Sequence, residues 1–345
     1  MSDLIIAAVA DLHFRAKRLS DIADAWKAAV KDMLMNRVNL CLIAGDVFDH
    51  PNISGREASF GTVYRAFIDP LMELKAAGVA VVVIDGNHDL ATQGQKSALE
   101  PLRDLGVEYV DIPRVINPFS RVTVACLPWL IKSNKTETES LLKEFRLKLS
   151  MSDGLKIFLA HCEVAGTKTP QGYELIGGSF ELTPGQISSV GADIVVCGHI
   201  HNRQGPYVGA LTQLNFGEEG NPTGYDLYKI SRGKLERTFQ AMPSLRYLTF
   251  DVKDGEVPTC QSKDYYKIRF ERDFTPDEIA RYQDSPNVII EKVVQRKATS
   301  RTEEELTAQD DTVSLLKAYI KNTPELIPME PALVKVAKSL IEEIK

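Results

Sequence analysis

The chain has 345 residues, 44% hydrophobic and 26% charged, which is ordinary for a globular protein with one large and one smaller domain. Its formal net charge of −6 argues against an autonomous nucleic-acid-binding protein, yet it does not exclude a nuclease whose acidic site holds cations. No apolar run could span a bilayer, and the N-terminus carries an acid where a signal peptide carries basic residues. The five cysteines form no C-x-x-C pair, which favours a reducing, cytoplasmic compartment.

Short β-branched apolar runs alternate with helical patterns over the first two thirds of the chain. The runs lie at 4–10, 39–44, 79–85, 155–160 and 192–197. This alternation predicts β-α units arranged around a sheet. Between the runs, Ser20 is expected to cap a helix that extends to about Asn36, a second helix spans about 57–77, and a charged helix spans 135–150.

The composition changes near residues 251–263, where we place a domain boundary. Residues 264–296 predict a small β-α-β unit, in which Thr275 and Glu278 form a capping box. After a polar tract at 297–311, two amphipathic helices are expected at about 312–322 and 329–344, a pair too small to bury its apolar stripes well. We therefore expect three domains, at 1–250, 251–296 and 297–345.

Each of the five apolar runs ends in a cluster of residues that can bind metal ions. In open α/β sheets, sites form at the carboxyl ends of the strands, so the five clusters should converge in space. Five of the six histidines lie in these clusters, which chance placement would scatter. The clusters contain Asp11 and His13; Asp46 and Asp49; Asn87, His88 and Asp89; His161 and Glu163; and His199 and His201.

These residue types indicate a particular metal chemistry. Carboxylates, imidazoles and one amide oxygen suit Mn, Fe or Zn ions, while the lack of ligating cysteines argues against a structural zinc site. Seven good ligands exceed the needs of one ion, which predicts two ions that share a carboxylate.

The alternative for each residue is a purely structural role. Any single Asp or Asn here could be a turn residue. We expect structural or surface roles for His50, Asp89 and Glu163, and a solvated helix approach, rather than substrate contacts, for Arg15, Lys17 and Arg18.

The ordered series D-x-H, G-D-x-x-D, G-N-H-D, H and G-H-x-H across residues 11–201 resembles that of the calcineurin-like metallophosphoesterase superfamily. The resemblance implies an α/β fold, a layered α-β-β-α sandwich. It implies that His88 contacts the scissile phosphate and that the carboxylate of Asp49 orients His88. It also implies two metal sites that share Asp46, one with Asp11, His13, Asp46 and His201 and the other with Asp46, Asn87, His161 and His199.

Within the superfamily, the chain resembles the SbcD-type nuclease subunit of SbcCD complexes. The residues that carry this likeness are G-D-V-F-D at 45–49 and C-L-P-W-L at 126–130. The β-α-β unit resembles a capping domain, and the terminal helices resemble the element that docks on an SMC-like ATPase of SbcC type. The resemblance implies a manganese-dependent 3′-to-5′ exonuclease and single-strand endonuclease acting in DNA repair and recombination. It leaves open whether two copies of the chain pair.

Two details depart from the family pattern, and two other functions stay open. Phe14 and Arg15 stand where the form D-x-H-L-G is common, and Ala160 precedes His161 where glycine is frequent. The first alternative is a stand-alone phosphodiesterase that acts on small or cyclic nucleotides with the same metals. The second is a catalytically silent scaffold that only binds an ATPase, against which the intact ligand set argues.

Overall fold

A computed structural model of the protein describes residues 3–51, 58–90, 97–130, 135–168, 180–253, 258–260, 263–282, 285–293, 312–321 and 323–344. The expected polar tract at 297–311 lies outside these residues. The strands are β1 (Leu4–Val9), β2 (Leu40–Ile43), β3 (Ala80–Ile84), β4 (Glu108–Val110), β5 (Arg114–Phe119), β6 (Val122–Leu127), β7 (Leu155–His161), β8 (Glu163–Val164), β9 (Glu181–Leu182), β10 (Ile194–Gly198), β11 (Gly224–Ser231), β12 (Lys234–Ala241), β13 (Tyr247–Val252), β14 (Tyr265–Phe270) and β15 (Val288–Lys292). The helices are α1 (Leu19–Met35), α2 (Phe60–Ala76), α3 (Lys135–Ser150), α4 (Pro184–Ser189), α5 (Pro276–Ala280), α6 (Thr312–Lys321) and α7 (Glu330–Ile344).

Two sheets form the centre of the fold. In the described part of the chain, the first sheet has the order β12-β11-β1-β2-β3-β4, in which β1 to β4 run parallel and β11 and β12 are antiparallel additions. The second sheet has the order β10-β7-β6-β5, with β10, β7 and β6 parallel. The five predicted apolar runs are β1, β2, β3, β7 and β10, so the alternation in the sequence identified them correctly.

The buried apolar residues form three layers around these sheets. One layer joins α1 and α2 to the outer face of the first sheet, and another joins α3 and α4 to the outer face of the second. The third lies between the sheets, where alternate residues such as Leu40, Leu42, Leu159 and Val196 meet. Successive side chains point to opposite faces of a strand. Each sheet therefore packs against helices with one face and against the second sheet with its other face. This is the expected α-β-β-α sandwich.

The N-terminus of α1 differs from the expectation in two respects. The helix begins at Leu19, and the preceding Arg18, in the left-handed region at φ 68°, accepts the amides of Asp21 and Ile22 with its carbonyl oxygen. Ser20 therefore lies inside the first turn, and its expected capping role was wrong. Arg18 is also buried instead of solvated, because its guanidinium donates to the carbonyl oxygen of Gln213 at 2.7 Å and lies over the rings of Tyr247 and Tyr265.

The C-terminal part contains a three-stranded sheet of order β13-β14-β15, with α5 between β14 and β15. The β-α-β pattern and the capping box of Thr275 and Glu278 are both present. β13 starts at Tyr247, before the expected boundary at residue 251, and it belongs to the same sheet. The chain divides into one compact unit of residues 1–269 with 274–291 and a second of residues 270–273 with 292–345, which includes α6 and α7. The three-domain division stays a prediction.

Two further sequence expectations concern membranes and thiols. No helix in the described residues is long and apolar enough to cross a membrane. All five cysteines are free thiols, and four of them are buried. Burial raises the pKa of the Cys41 thiol, and a hydrogen bond with Cys197 together with burial raises the pKa of the Cys162 thiol, which keeps both protonated.

The packing of α1 on α2 generates a stability prediction. Trp26 is fully buried and donates its indole N–H to the carbonyl oxygen of Phe67 at 3.0 Å. Its ring stacks on the ring of Phe67, with the two centroids 5.9 Å apart. Trp26→Ala should lower the free energy of unfolding by about 3–5 kcal/mol, because it leaves a cavity. Urea denaturation followed by circular dichroism measures the change. Met35→Ala on the same helix, where the side chain is exposed, should cost less than about 0.5 kcal/mol; equal losses would contradict this account.

Candidate metal centre

The carboxyl ends of five parallel strands open onto one edge shared by the two sheets. The loop after β1 continues beside the loop after β2, because the amides of Asp11, His13 and Phe14 donate to the carbonyl oxygens of Gly45, Asp46 and Val47 at 2.8–3.1 Å. In the second sheet, Gly198 of β10 is in register with His161 of β7. The five clusters are therefore brought together by the continuation of the sheets themselves, as the sequence predicted.

Four candidate ligands have a strained backbone. Asp11, His13, Asp46 and His199 have φ values of 53°, 48°, 52° and 97°, in a region that costs free energy for a residue with a side chain. Such conformations persist only where the surroundings impose them, and they concentrate at functional sites. All four of these residues belong to groups whose donor atoms lie within 4.8 Å of one another.

Glycine is required where the loops touch. A Cβ atom on Gly45 would overlap the His161 ring, one on Gly86 would overlap the Asp46 carboxylate, and one on Gly198 would overlap the carbonyl oxygen of Ala44. The glycines of G-D, G-N-H-D and G-H-x-H are thus explained by close approach of backbone to candidate ligands.

Asp11, His13 and His201 form the first group, in which one atom of each side chain lies within 4.8 Å of the others. The Nε2 atoms of His13 and His201 are 3.0 Å apart. Asp11 is fully buried, and its Oδ1 accepts the amide of His199 at 2.9 Å. Within the described residues, Asp11 Oδ2 has no hydrogen-bond partner although it is buried, which is unfavourable unless a cation or donor meets it.

Asp46, His161 and His199 form the second group, again within 4.8 Å. Asn87 Oδ1 lies 3.0 Å from His161 Nε2 and 3.0 Å from His199 Nδ1, so it belongs to the same cluster. Asp46 stands between the groups, because its Oδ2 is 3.4 Å from His161 Nε2 and 3.7 Å from His13 Nε2. All seven predicted ligands therefore meet in one place, and Asp46 is the one that reaches both groups.

Burial and mutual charge give these side chains unusual electrostatics. Burial alone would raise the pKa of Asp46, but His161 and His13 outweigh it, so the net pKa is lowered. Burial opposes the charged form of His161, yet Asp46 and Asp11 raise its pKa to about 9. Burial, reinforced by His161, lowers the pKa of His199 to about 3. Asp46 is thus held as an anion and His199 as a neutral imidazole, the forms that ligate metals, whereas His161 must release a proton when an ion binds.

Three of the four candidate histidine ligands have one ring nitrogen at hydrogen-bond distance from an oxygen atom of the protein, while the other nitrogen faces the centre. This arrangement fixes the ring orientation and the tautomer of metal-binding histidines. The pairs are His161 Nδ1 with the carbonyl oxygen of Ala44 at 2.7 Å, His201 Nδ1 with Glu218 Oε1 at 2.9 Å, and His199 Nε2 with Glu163 Oε1 at 3.3 Å. His13 Nδ1 lies 3.4 Å from Asp49 Oδ1 but has no hydrogen-bond partner among the described residues. The donor types, the directed nitrogens and the buried oxygen of Asp11 fit a pair of divalent ions.

His88 has a ring nitrogen within 4.8 Å of donor atoms of His13 and Asp46, and Asp49 lies beside His13. The contact between His88 and Asp49 differs from the expected one. The backbone amide of His88 donates to Asp46 Oδ1 at 2.8 Å, and its ring Nδ1 is 2.8 Å from the carbonyl oxygen of Asp49. The carboxylate of Asp49 lies instead 3.4 Å from His13 Nδ1 and 3.5 Å from the guanidinium of Arg15. The backbone of Asp49, not its carboxylate, therefore contacts the ring of His88.

Three further contacts surround the centre, the first of them made by Asp89, for which a structural or surface role was expected. Asp89 is fully buried, and its two carboxylate oxygens accept the amides of Phe48 and Gly86 at 2.9 Å each, which ties the second loop to the third. Trp129, which closes the C-L-P-W-L segment, lies 5.0 Å from the ring of His199. Glu218 follows the last cluster by 17 residues, so spacing from a strand end gave no signal for it.

Comparison with known proteins agrees with this geometry. A model of the family described as calcineurin-like phosphoesterase matches residues 4–203. Over 248 residues, the chain is 25% identical to the DNA double-strand break repair protein Mre11 of Aeropyrum pernix, which covers 64% of this chain and 56% of that relative. The chain thus spans little more than half of that relative's length.

Two solved structures share a lower likeness. A dimetal phosphatase from Danio rerio has a TM-score of 0.42 at 13% identity, covering 69% of this chain and 96% of that one. A structure described as a 5′-nucleotidase from Staphylococcus aureus has a TM-score of 0.42 at 12% identity, covering 76% of this chain and 57% of that one. The assignment rests instead on the family model, which spans more than half of the chain and includes all five clusters. The chain belongs to the calcineurin-like phosphoesterase family.

Proposed function

We propose that the chain is a two-metal phosphodiester hydrolase that acts on DNA as the nuclease subunit of an SbcCD-type repair and recombination complex. The observation that carries the hydrolase part is the position of Asp46, whose carboxylate reaches both groups of candidate ligands. One carboxylate shared between two ions is the arrangement that in-line phosphoryl displacement uses.

Seven residues hold the two ions in this proposal. Bound divalent ions supply Lewis-acid polarisation of a phosphoryl oxygen and activate water at neutral pH. The residues of the chain keep the donor atoms in place, exclude other orientations of the rings, and maintain Asp46 as an anion. The first site consists of Asp11, His13, Asp46 and His201, and the second of Asp46, Asn87, His161 and His199.

His88 acts on the leaving group in this proposal. Its Nδ1 is positioned by the carbonyl oxygen of Asp49, which can only accept a hydrogen bond, so Nδ1 carries a proton. The other nitrogen, Nε2, is then the atom that gives up a proton from the imidazolium form to a departing oxygen. Because the amide of His88 also donates to Asp46, the ring is placed relative to the shared carboxylate.

The choice of DNA rests on likeness and not on site geometry. The relative from Aeropyrum pernix is by name a DNA double-strand break repair protein, and the segment at 45–49 reads G-D-V-F-D. We expect 3′-to-5′ exonuclease and single-strand endonuclease activities with Mn²⁺ as the working ion, in the cytoplasm. Imidazole, carboxylate and amide ligands are compatible with that ion.

The terminal helices supply the partner surface in this proposal. Within the second compact unit, α6 exposes Leu315 and Tyr319, and α7 exposes Val336. Apolar side chains exposed in this way on amphipathic helices are typical of a helix that binds another protein. We propose that they dock on an SMC-like ATPase of SbcC type. This partner would increase the affinity for DNA of a chain whose own net charge is −6. Sedimentation velocity would measure whether two copies of the chain form a dimer.

Asp46→Asn gives the first test of the hydrolase proposal. Nuclease activity is measured on end-labelled double- and single-stranded DNA with Mn²⁺, and cyclic nucleotides and a generic phosphodiester are assayed in parallel. The wild type should shorten DNA, and Asp46→Asn should abolish this and weaken metal binding at both sites, because one anionic ligand serves both. The matched control, Asp104→Asn at an exposed position, should behave as the wild type. Hydrolysis of cyclic nucleotides with intact DNA would favour the small-substrate phosphodiesterase instead.

His88→Ala separates chemistry from metal binding. Turnover should fall by about 10²–10⁴-fold, the usual contribution of a general acid. Metal stoichiometry and affinity, measured by calorimetry, should be unchanged, since the hydrogen bond to Asp46 comes from the backbone amide and survives the substitution. Full activity in this variant would remove His88 from the mechanism, and loss of metal would make it a ligand.

A further inference from the structure

Glu218 is a buried carboxylate outside the five ligand clusters. It ends a 3-10 turn (Phe216–Glu218) and only 6% of the residue is exposed. The match to the family model stops at residue 203, so this turn is a feature of the chain beyond the matched segment. A buried carboxylate is costly unless its oxygens are satisfied, which makes its partners informative.

Three contacts hold Glu218 in one orientation. Oε2 accepts the amide of Leu214 at 2.8 Å, and Oε1 accepts the side-chain amide of Asn215 at 2.9 Å. The same Oε1 lies 2.9 Å from Nδ1 of His201. The turn is itself closed by Asn215 Oδ1, which accepts the amide of Gly217 at 2.8 Å. The two protein donors on Glu218 therefore hold its carboxylate against His201.

We propose that Glu218 is a positioning residue for metal binding by His201, an inference that rests on the two-metal site proposed above. An ionised carboxylate can only accept, so the proton of the imidazole lies on Nδ1 and the lone pair lies on Nε2. Nε2 is the nitrogen that faces His13 Nε2 at 3.0 Å, inside the first group. Glu218 thus selects the tautomer that ligates and fixes the direction in which it does so.

The carboxylate of Glu163, beside the second group, makes a weaker contact with its histidine than Glu218 makes with His201. Glu163 Oε1 is 3.3 Å from His199 Nε2, and the side chain of Glu163 is more exposed than that of Glu218. Charge-assisted hydrogen bonds strengthen as they shorten and lose water, so the contact of Glu218 is the stronger of the two. The two metal sites should therefore depend unequally on their outer carboxylates.

The test is calorimetric titration of the metal-free protein with Mn²⁺, using Glu218→Ala and Glu218→Gln. Glu218→Ala should weaken one of two sites by about 10–100-fold and leave the other unchanged. Glu218→Gln should lose less, because its amide oxygen can still accept from Nδ1. Glu219→Gln is the matched control: it is the next residue, is exposed, and accepts the amide of Thr249 instead of contacting a candidate ligand.

A second measurement reads the tautomer directly in the wild type and uses Glu218→Ala for comparison. In the Zn²⁺-loaded wild type with ¹⁵N-labelled histidine, long-range ¹H–¹⁵N spectra should show a slowly exchanging proton on Nδ1 of His201, and Glu218→Ala should lose it. Two results would overturn the inference about Glu218 and leave the two-metal proposal intact. One is a wild-type His201 without this proton, and the other is a set of Glu218 variants that bind both ions normally. A wild type that binds no metal would overturn the two-metal proposal with it.

Discussion

The carboxylate of Asp46 joins polar groups of the two sheets of the fold in one ionic cluster. It belongs to the first sheet, yet its Oδ2 lies nearest to His161 of the second, and its Oδ1 accepts the amide of His88. An anion can be buried here only because histidines from both sheets surround it and hold it charged. The left-handed backbone of Asp46 and the lack of a side chain at Gly86 follow from this position. Both are needed because a Cβ atom on residue 86 would overlap the Asp46 carboxylate.

Sequence reasoning identified the five strands and the meeting of their ends because both depend on local signals. A buried strand of a mostly parallel sheet reads as a continuous apolar run, and polar residues directly after it must lie at the edge. The contact of Glu218 with His201 depends on a turn after the last cluster, and no periodic pattern fixes where such a turn returns. The sequence also could not predict that the backbone carbonyl of Asp49, and not its carboxylate, contacts the ring of His88. Both groups belong to one residue, so only the three-dimensional structure shows which of them makes the contact.

Arg18 shows the same limit in another form. A basic residue just before an amphipathic helix normally faces water, and composition alone supports that expectation. Here Tyr247 and Tyr265, more than 220 residues later in the chain, stack 4.8 Å apart and receive the guanidinium over their rings. Tyr247 also accepts a hydrogen bond from Arg18 at 2.9 Å. Burial of this cation is thus decided by two distant strands, β13 and β14, which no window of sequence around residue 18 contains.

The tight contacts of Gly45, Gly86 and Gly198 have a consequence for selectivity. Loops that touch without space for a methyl group cannot accept larger side chains, so the innermost part of the centre offers little scope for variation between related enzymes. A centre of this kind recognises the phosphorus and its oxygens and is indifferent to what those oxygens carry. Discrimination between a nucleic acid and a small ester must then arise at the periphery, from surfaces that can change shape and charge without disturbing the strained loops beneath them.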